Sequence, residues 1–169
     1  MKKILFNLFA IYILLTISNL TWSQTTKLDS LRDELNFQKQ DTGYCKTLFE
    51  IGDFYKQKNA DSAIFYYNKG LQFAISEKLS IFQARSFLRL GNIYSDLGNY
   101  SIAIDNYNKS VLINKKLGDK KGISSCYNNI AIINANQGNY EEAIKNFKEA
   151  LSIDIELNDS SGVSLLYNN

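Results

Sequence analysis

Apolar positions along the chain recur in blocks that lie 40 residues apart. Residues 98–107 read GNYSIAIDNY, and residues 138–147 read GNYEEAIKNF. A weaker copy, NADSAIFYY, occupies residues 59–67. Tyrosine, alanine, isoleucine and a closing aromatic residue keep their places in the two clear blocks. A fixed period of this size predicts an array of repeated structural units.

A separate amphipathic segment precedes the blocks. Leu28, Leu31 and Leu35 recur at helical spacing within residues 25–40. We interpret this segment as a short helix that covers the open N-terminal end of the array. The predicted layout is a signal peptide at 1–23, a capping helix and linker at 24–43, and an array at 44–169. Its repeats cover about 45–83, 84–123 and 124–163, and a fourth starts at 164–169.

The sequence of each repeat is similar to a known motif. Residues 87–94 read FLRLGNIY and are followed by Ala103 and Tyr107. This resembles the tetratricopeptide repeat pattern W-x2-L-G-x2-Y followed by A-x3-F, with Phe87 in the tryptophan place. Residues 48–55, LFEIGDFY, and 127–134, YNNIAIIN, are weaker versions. The period is 40 rather than 34, which we attribute to a longer second helix in each repeat.

The resemblance implies an all-α fold, a right-handed α-solenoid of stacked antiparallel helix pairs. Small residues at Gly52, Gly91 and Ala131 let two helices approach closely. Asparagines 99 and 139 are suited to cap the second helices. The residues after Gly162 repeat those after Gly122, so a fourth repeat begins near the last residue. We expect either that the chain is a fragment of a longer protein, or that its uncapped C-terminal end associates with another copy or a partner.

The first 23 residues resemble a bacterial secretory signal. Two lysines precede a mostly apolar run from Ile4 to Ile17, and small residues at Thr21 and Ser23 flank Trp22. The expected result is cleavage after Ser23 and export to the periplasm or cell envelope. The alternative is an uncleaved membrane anchor.

Charge and composition exclude several function classes. The net charge is +2, and residues 24–169 carry 17 basic and 17 acidic side chains, because Lys2 and Lys3 are the only charges before them. This balance argues against a nucleic-acid partner. The chain has no histidine, and Cys45 and Cys126 fit no zinc motif. We expect both cysteines to be small core residues.

No catalytic motif is present, so the sequence predicts neither enzyme activity, nor a cofactor, nor a metal. It contains no phosphate-binding loop, no dinucleotide glycine fingerprint and no Gly-x-Ser-x-Gly turn.

The candidate binding residues are those on the first helix of each repeat. In tetratricopeptide arrays these helices line a concave groove that holds a peptide or a partner helix. By this resemblance the groove residues are Arg85, Arg89, Asn92, Asn128, Asn129 and Asn136, together with Lys46, Phe49, Asp53, Leu88 and Ile132. One interpretation is a peptide groove with an asparagine floor and an arginine grip. The other is an ordinary solvated helix face.

Two functions follow from these patterns. The first is a non-catalytic protein- or peptide-binding module in the cell envelope. The second is the N-terminal sensor region of a larger membrane signalling protein, a histidine kinase or a transcription regulator. The sequence does not identify the partner.

Overall fold

The computed structural model describes residues 27–35 and 42–168, and these residues form eight helices. Linkers of two to four residues join consecutive helices from the second onward. The helices are α1 (27–35), α2 (Thr42–Tyr55), α3 (Ala60–Ser76), α4 (Ser80–Asp96), α5 (Tyr100–Leu117), α6 (Lys120–Asn136), α7 (Tyr140–Glu156) and α8 (Ser160–Asn168).

The helices stack as antiparallel pairs, α2 with α3, α4 with α5, and α6 with α7. Each packs on the helix before it and the helix after it, and α4 also touches α6. Helix α8 lies against α7 as the first helix of a further pair. The all-α, right-handed solenoid predicted from the repeat pattern is confirmed.

The extra length of the 40-residue repeat is shared between both helices of a pair. Helices α4 and α5 have 17 and 18 residues, and α6 and α7 have 17 each. In these two repeats the expectation of a longer second helix was therefore wrong, although in the first repeat α3 is longer than α2, with 17 residues against 14. The motif fixes where small and aromatic residues lie within a helix, but it does not determine where the helix ends.

A glycine in the first helix makes room for a tyrosine of the second helix. A Cβ atom placed on Gly91 would lie 2.5 Å from Cε1 of Tyr107, and one on Gly52 would collide with the Tyr67 ring in the same way. Both tyrosines are almost completely buried. Because the ring occupies the space of the missing side chain, the two helices of a pair approach closely at this point.

The core consists of clusters of buried residues that follow one another along the stack. Buried residues of α2, α3 and α4 form one cluster, and those of α5 and α6 form another. Cys45 and Cys126 are fully buried and free, as predicted, and burial raises the pKa of each thiol to about 11.

Helix α1 covers the N-terminal side of the array. Leu28 and Leu31 are buried against Ile51 of α2. This agrees with the predicted amphipathic helix, although residues 25–26 and 36–40 lie outside the described part of the chain. The predicted signal peptide or anchor at 1–23 also lies outside it. None of the helices that the structure describes is long and apolar enough to cross a membrane.

A residue with a left-handed backbone conformation follows most of the helices. Gly98, Gly118 and Gly138 have φ angles of +74°, +69° and +78°. Lys78 and Asn158 take this place in two further turns, with φ of 55° and 53°, whereas the turn between α2 and α3 has no such residue. The residue after each turn is the N-cap of the next helix.

The predicted asparagine caps were only partly right. Asn99 and Asn139 occupy the N-cap positions of α5 and α7, but their side chains make no capping hydrogen bond. Asp119 and Asp159, which the sequence also predicts as caps, do bond, as does Asn59, and their oxygens accept from backbone N–H groups at 2.9, 3.0 and 2.9 Å.

Replacing Lys78 with glycine is expected to raise the free energy of unfolding by about 0.5–1 kcal/mol. A left-handed conformation costs a residue with a Cβ about 1–2 kcal/mol, and glycine avoids most of that cost. The matched control is Lys148→Gly, in the exposed interior of α7. There the same substitution should lower stability by about 0.5–1 kcal/mol. Urea titration measures the change in the free energy of unfolding for each variant. Changes of the same sign in the two variants would contradict the assignment of strain to Lys78.

Candidate functional site: a polar network on the first-helix face

Helices α2, α4, α6 and α8 lie side by side on one surface, which we call the first-helix face. At its N-terminal end, three side chains from three helices meet at Asp53. The Tyr67 hydroxyl donates to Asp53 Oδ1 at 2.7 Å. Arg89 donates from Nε and Nη2 to the two carboxylate oxygens, at 3.3 Å each. The network therefore joins α3 to α2, and α2 to α4.

The next repeat contains an equivalent network with neutral groups. The Tyr107 hydroxyl donates to Asn92 Oδ1 at 2.8 Å, and Asn129 Nδ2 donates to the same oxygen at 3.0 Å. Asn92 follows Gly91 as Asp53 follows Gly52, so the two acceptors occupy the same place in their repeats. In each network one donor comes from the first helix of the following repeat. This donor lies two residues before the small motif residue of that repeat, as Arg89 does before Gly91 and Asn129 before Ala131.

The third repeat has lost the hydroxyl and its acceptor together. Phe147 stands where Tyr67 and Tyr107 stand, and Ile132 stands where Asp53 and Asn92 stand. A phenol without an acceptor would be costly in a buried place, so the paired change is physically consistent. From the first repeat to the third, the residue at this acceptor position is thus charged (Asp53), then an amide (Asn92), then apolar (Ile132).

Both tyrosines act as donors because they hold their protons. Burial is the main cause that raises the pKa of each phenol above its ordinary value. At Tyr67, the hydrogen bond to the Asp53 carboxylate and its negative charge raise the pKa further. The two phenols therefore remain donors across the physiological pH range.

Three clefts on this face meet at Asn92. A cleft of about 240 Å³ lies between α2 and α4, beside Arg89. One of about 320 Å³ extends to Ile132, and one of about 430 Å³ extends to α8. Lys56 and Asp96 form an ion pair at 3.1 Å along the second cleft. Because all three clefts include Asn92, they connect across successive repeats.

The amides at the meeting point have groups left for a ligand. Asn92 Oδ1 already accepts two hydrogen bonds. No described residue bonds to Asn92 Nδ2 or to Asn129 Oδ1. This leaves one donor group and one acceptor beside the clefts, which matches the carbonyl and N–H groups of a peptide backbone.

Four of the six sequence-predicted site residues line these clefts. They are Arg89, Asn92, Asn128 and Asn129. Arg85 instead lines a separate cleft of about 320 Å³ beside Asn114. Asn136 is exposed at the end of α6 and lines none of the clefts described here.

The two arginines of the predicted grip contact different groups. Arg89 is bound to Asp53, whereas Arg85 lies over the Phe82 ring, 5.7 Å from its centre. Phe49, also placed in the groove by resemblance, is buried in the core beneath the Arg89 guanidinium, whose carbon is 4.5 Å from the ring centre.

Sequence reasoning missed several polar groups of the site, among them Lys56, Asp96, Asp154 and the hydroxyls of Tyr67 and Tyr107. The alternation of tyrosine and phenylalanine at the A-x3-F position was a usable signal for the hydroxyls. The third repeat has phenylalanine at this position and isoleucine directly after its small motif residue, whereas the first two repeats have tyrosine and a polar residue there. Comparing the three repeats at these two positions would have found the network.

Comparisons with known proteins agree with this repeated architecture. A tetratricopeptide repeat family model matches residues 82–156. A second model, described as the SusR N-terminal TPR domain, matches residues 18–109, which is more than half of the chain. The chain belongs to this tetratricopeptide repeat family. Among curated proteins, no significant match was found.

Solved structures of tetratricopeptide repeat proteins share the fold. BtubC (BKLC) from P. vanneervenii superposes with a TM-score of 0.70 at 20% identity, over 87% of this chain and 61% of BtubC. MamA superposes with a TM-score of 0.59 at 23% identity, over 79% of this chain and 70% of MamA. The chain spans less than two thirds of BtubC, and at these identities the similarity shows the fold alone.

Proposed function

We propose that the first-helix face of this tetratricopeptide repeat protein binds a peptide or protein segment and does not change it chemically. Tetratricopeptide repeats generally mediate protein–protein interactions. The observation that carries the proposal is the amide pair at the centre of the clefts. Asn92 Nδ2 and Asn129 Oδ1 have no partner among the described residues, although they sit within an otherwise bonded network.

An extended segment would bond to this pair through its backbone. A carbonyl oxygen accepts from Asn92 Nδ2, and an N–H group donates to Asn129 Oδ1. These bonds do not depend on the sequence of the segment. Sequence preference would come from the surrounding groups, which are charged near Asp53 and Arg89 and apolar at Ile132.

A non-catalytic role fits the chemistry of the face. The tetratricopeptide repeat fold is typically a scaffold. Burial raises the pKa of both tyrosines of the network, so neither supplies a base. The two cysteines are buried with a pKa near 11, so neither supplies a thiolate at neutral pH.

Selection from a random peptide library on the immobilised full chain tests this function. The expected result is enrichment of peptides that bind saturably with one peptide per chain. Peptides that bind equally well after both Arg89 and Asn129 are changed to alanine would contradict the proposal. Failure to enrich any peptide would contradict it as well.

Export to the cell envelope is part of the proposal and rests on residues 1–23. Trp22 is the only tryptophan in the chain, so cleavage after Ser23 removes all tryptophan fluorescence. The protein isolated from its host should begin at Gln24 and show only tyrosine emission. Tryptophan emission from that protein would favour the uncleaved anchor.

A second candidate function is the sensor region of a larger signalling protein. It is favoured by the description of the matching family as an N-terminal domain. In this case, occupation of the same face would regulate an output region elsewhere in the protein. The intact mass of the native protein decides it, since a mass well above 19.3 kDa is expected for the sensor. A mass of 19.3 kDa or less would exclude it.

A further inference from the structure

The largest of the three clefts that meet at Asn92 contains a buried carboxylate. Asp154 of α7 is only 5% exposed, yet it lines the cleft of about 430 Å³ between α6 and α8. Helix α8 passes directly over it, since a Cβ on Gly162 would collide with the Asp154 carboxylate. The carboxylate is thus nearly enclosed by protein, with the cleft as its open side.

This carboxylate lacks a partner in the described chain. No described residue donates a hydrogen bond to it or forms an ion pair with it. The nearby Lys121 ammonium is 75% exposed and is paired with Asp159 at 2.8 Å. It influences Asp154 only through a weaker charge interaction. Two carboxylates and one ammonium therefore line the described part of the cleft, which leaves one excess negative charge.

The preceding repeat shows what this position looks like without a charge. Asn114, 40 residues earlier, is also buried beside a glycine, Gly122. Its amide donates to Ser110 Oγ at 3.3 Å. In the third repeat a carboxylate replaces the amide, and Ala150 replaces the serine. The change introduces a charge and removes the neighbouring hydroxyl at the same time.

A carboxylate buried to this extent, with no donor among the described residues, is less stable than a paired one, and a bound cation lowers that cost. The hydroxyls around Asp154 also suit a cation. The Ser124 hydroxyl proton is used on the Ala150 carbonyl at 3.3 Å, and the Ser125 proton on the Lys121 carbonyl at 3.0 Å. Both serine oxygens are left as acceptors, so the cleft favours a ligand that donates several hydrogen bonds.

We propose that this cleft binds the lysine or arginine side chain of the segment held on the first-helix face, with Asp154 as its counter-ion. The inference rests on the proposed peptide-binding function and adds a preference to it. The ammonium or guanidinium group pairs with Asp154 and donates to the serine oxygens. The remaining segment extends toward the amides of Asn92 and Asn129, which line the same cleft.

The first test uses a probe that does not depend on peptide binding. The full chain is titrated with n-butylammonium chloride, which carries the lysine side-chain group, and with 1-butanol as its uncharged analogue. Butylammonium should give saturable NMR shifts at the backbone amides of Ser124, Ser125 and Asn128, and butanol should not. Asp154→Asn should weaken the apparent affinity for butylammonium at least tenfold, because a hydrogen-bonded charge is lost.

Asp105→Asn is the matched control. It removes one negative charge from an exposed position on α5, where Asp105 pairs with Lys109, and it should leave the titration unchanged. If both variants weakened butylammonium binding equally, the net charge of the protein would explain the response, and the inference would be overturned. So would a D154N protein that unfolds at a markedly lower temperature, because the carboxylate would then be structural.

Selected peptides separate this inference from the function on which it rests. Peptides enriched on the wild-type chain should share one lysine or arginine position, and D154N should bind them at least tenfold less tightly. Enriched peptides with no basic position would overturn the cation site and leave peptide binding intact. Butylammonium binding without any enriched peptide would support the site and contradict the peptide-binding function.

Discussion

Replacing Tyr107 with alanine is expected to lower the free energy of unfolding by about 4 kcal/mol. Truncation of a buried aromatic side chain costs about 3–5 kcal/mol through lost contacts and the cavity left behind. Tyr107 is 2% exposed and packs against the bare backbone of Gly91. Its loss also removes the hydroxyl that bonds to Asn92. Urea denaturation of the full chain, followed by helical circular dichroism, measures the change.

Two variants control this prediction. Tyr140→Ala removes the same side chain at a site that is 67% exposed, and it should change stability by no more than about 0.5 kcal/mol. Tyr107→Phe keeps the ring and removes only the hydroxyl, so it should cost about 1 kcal/mol. A Tyr107→Ala protein as stable as Tyr140→Ala would contradict the tight packing of the helix pair.

Changing Arg89 and Asn129 together to alanine is expected to weaken binding of the selected peptides by more than tenfold. Asn129 contributes an acceptor for the peptide backbone, and its amide also holds Asn92 in place. Arg89 holds Asp53 in the equivalent way. The peptide bonds to Asn129 and to Asn92, which Asn129 no longer holds, are worth about 1 kcal/mol each, and Asp53 loses the arginine that fixes it beside the cleft, so the joint loss exceeds the 1.4 kcal/mol of a tenfold change.

The matched control is the double variant Arg85→Ala and Asn136→Ala. It removes the same two residue types from the same two helices and changes the net charge equally. Neither residue lines the clefts that meet at Asn92. Isothermal titration should show affinity within about twofold of wild type, because exposed side chains away from the contact contribute little. Equal weakening by both pairs would remove the first-helix face from the binding site.

The stacking of helix pairs was predictable because it depends on residue size at fixed places. Gly52 and Gly91 stand opposite the Tyr67 and Tyr107 rings as the motif requires. The helix ends were less predictable, since a turn needs only a residue that adopts a left-handed backbone. Lys78 serves at one such turn without any glycine to mark it.

The binding face was predictable only in part, because its networks join different repeats. Arg85 and Arg89 are one turn apart and were expected to act together. A step of four residues rotates a helix position by about 40°, which is enough to reach a different cleft on a helix with neighbours on both sides. Asp154 reads as an ordinary polar helix residue. Its burial depends on Gly162, in the helix that follows.

Photo-crosslinking of a selected peptide to the full chain tests the central claim most directly. A benzophenone side chain is placed at the centre of the peptide, and the crosslinked residues are identified by mass spectrometry. The account predicts crosslinks within residues 88–96 of α4 and 124–132 of α6. Crosslinks confined to α3, α5 or α7 would show that the peptide binds the opposite surface and would contradict the account.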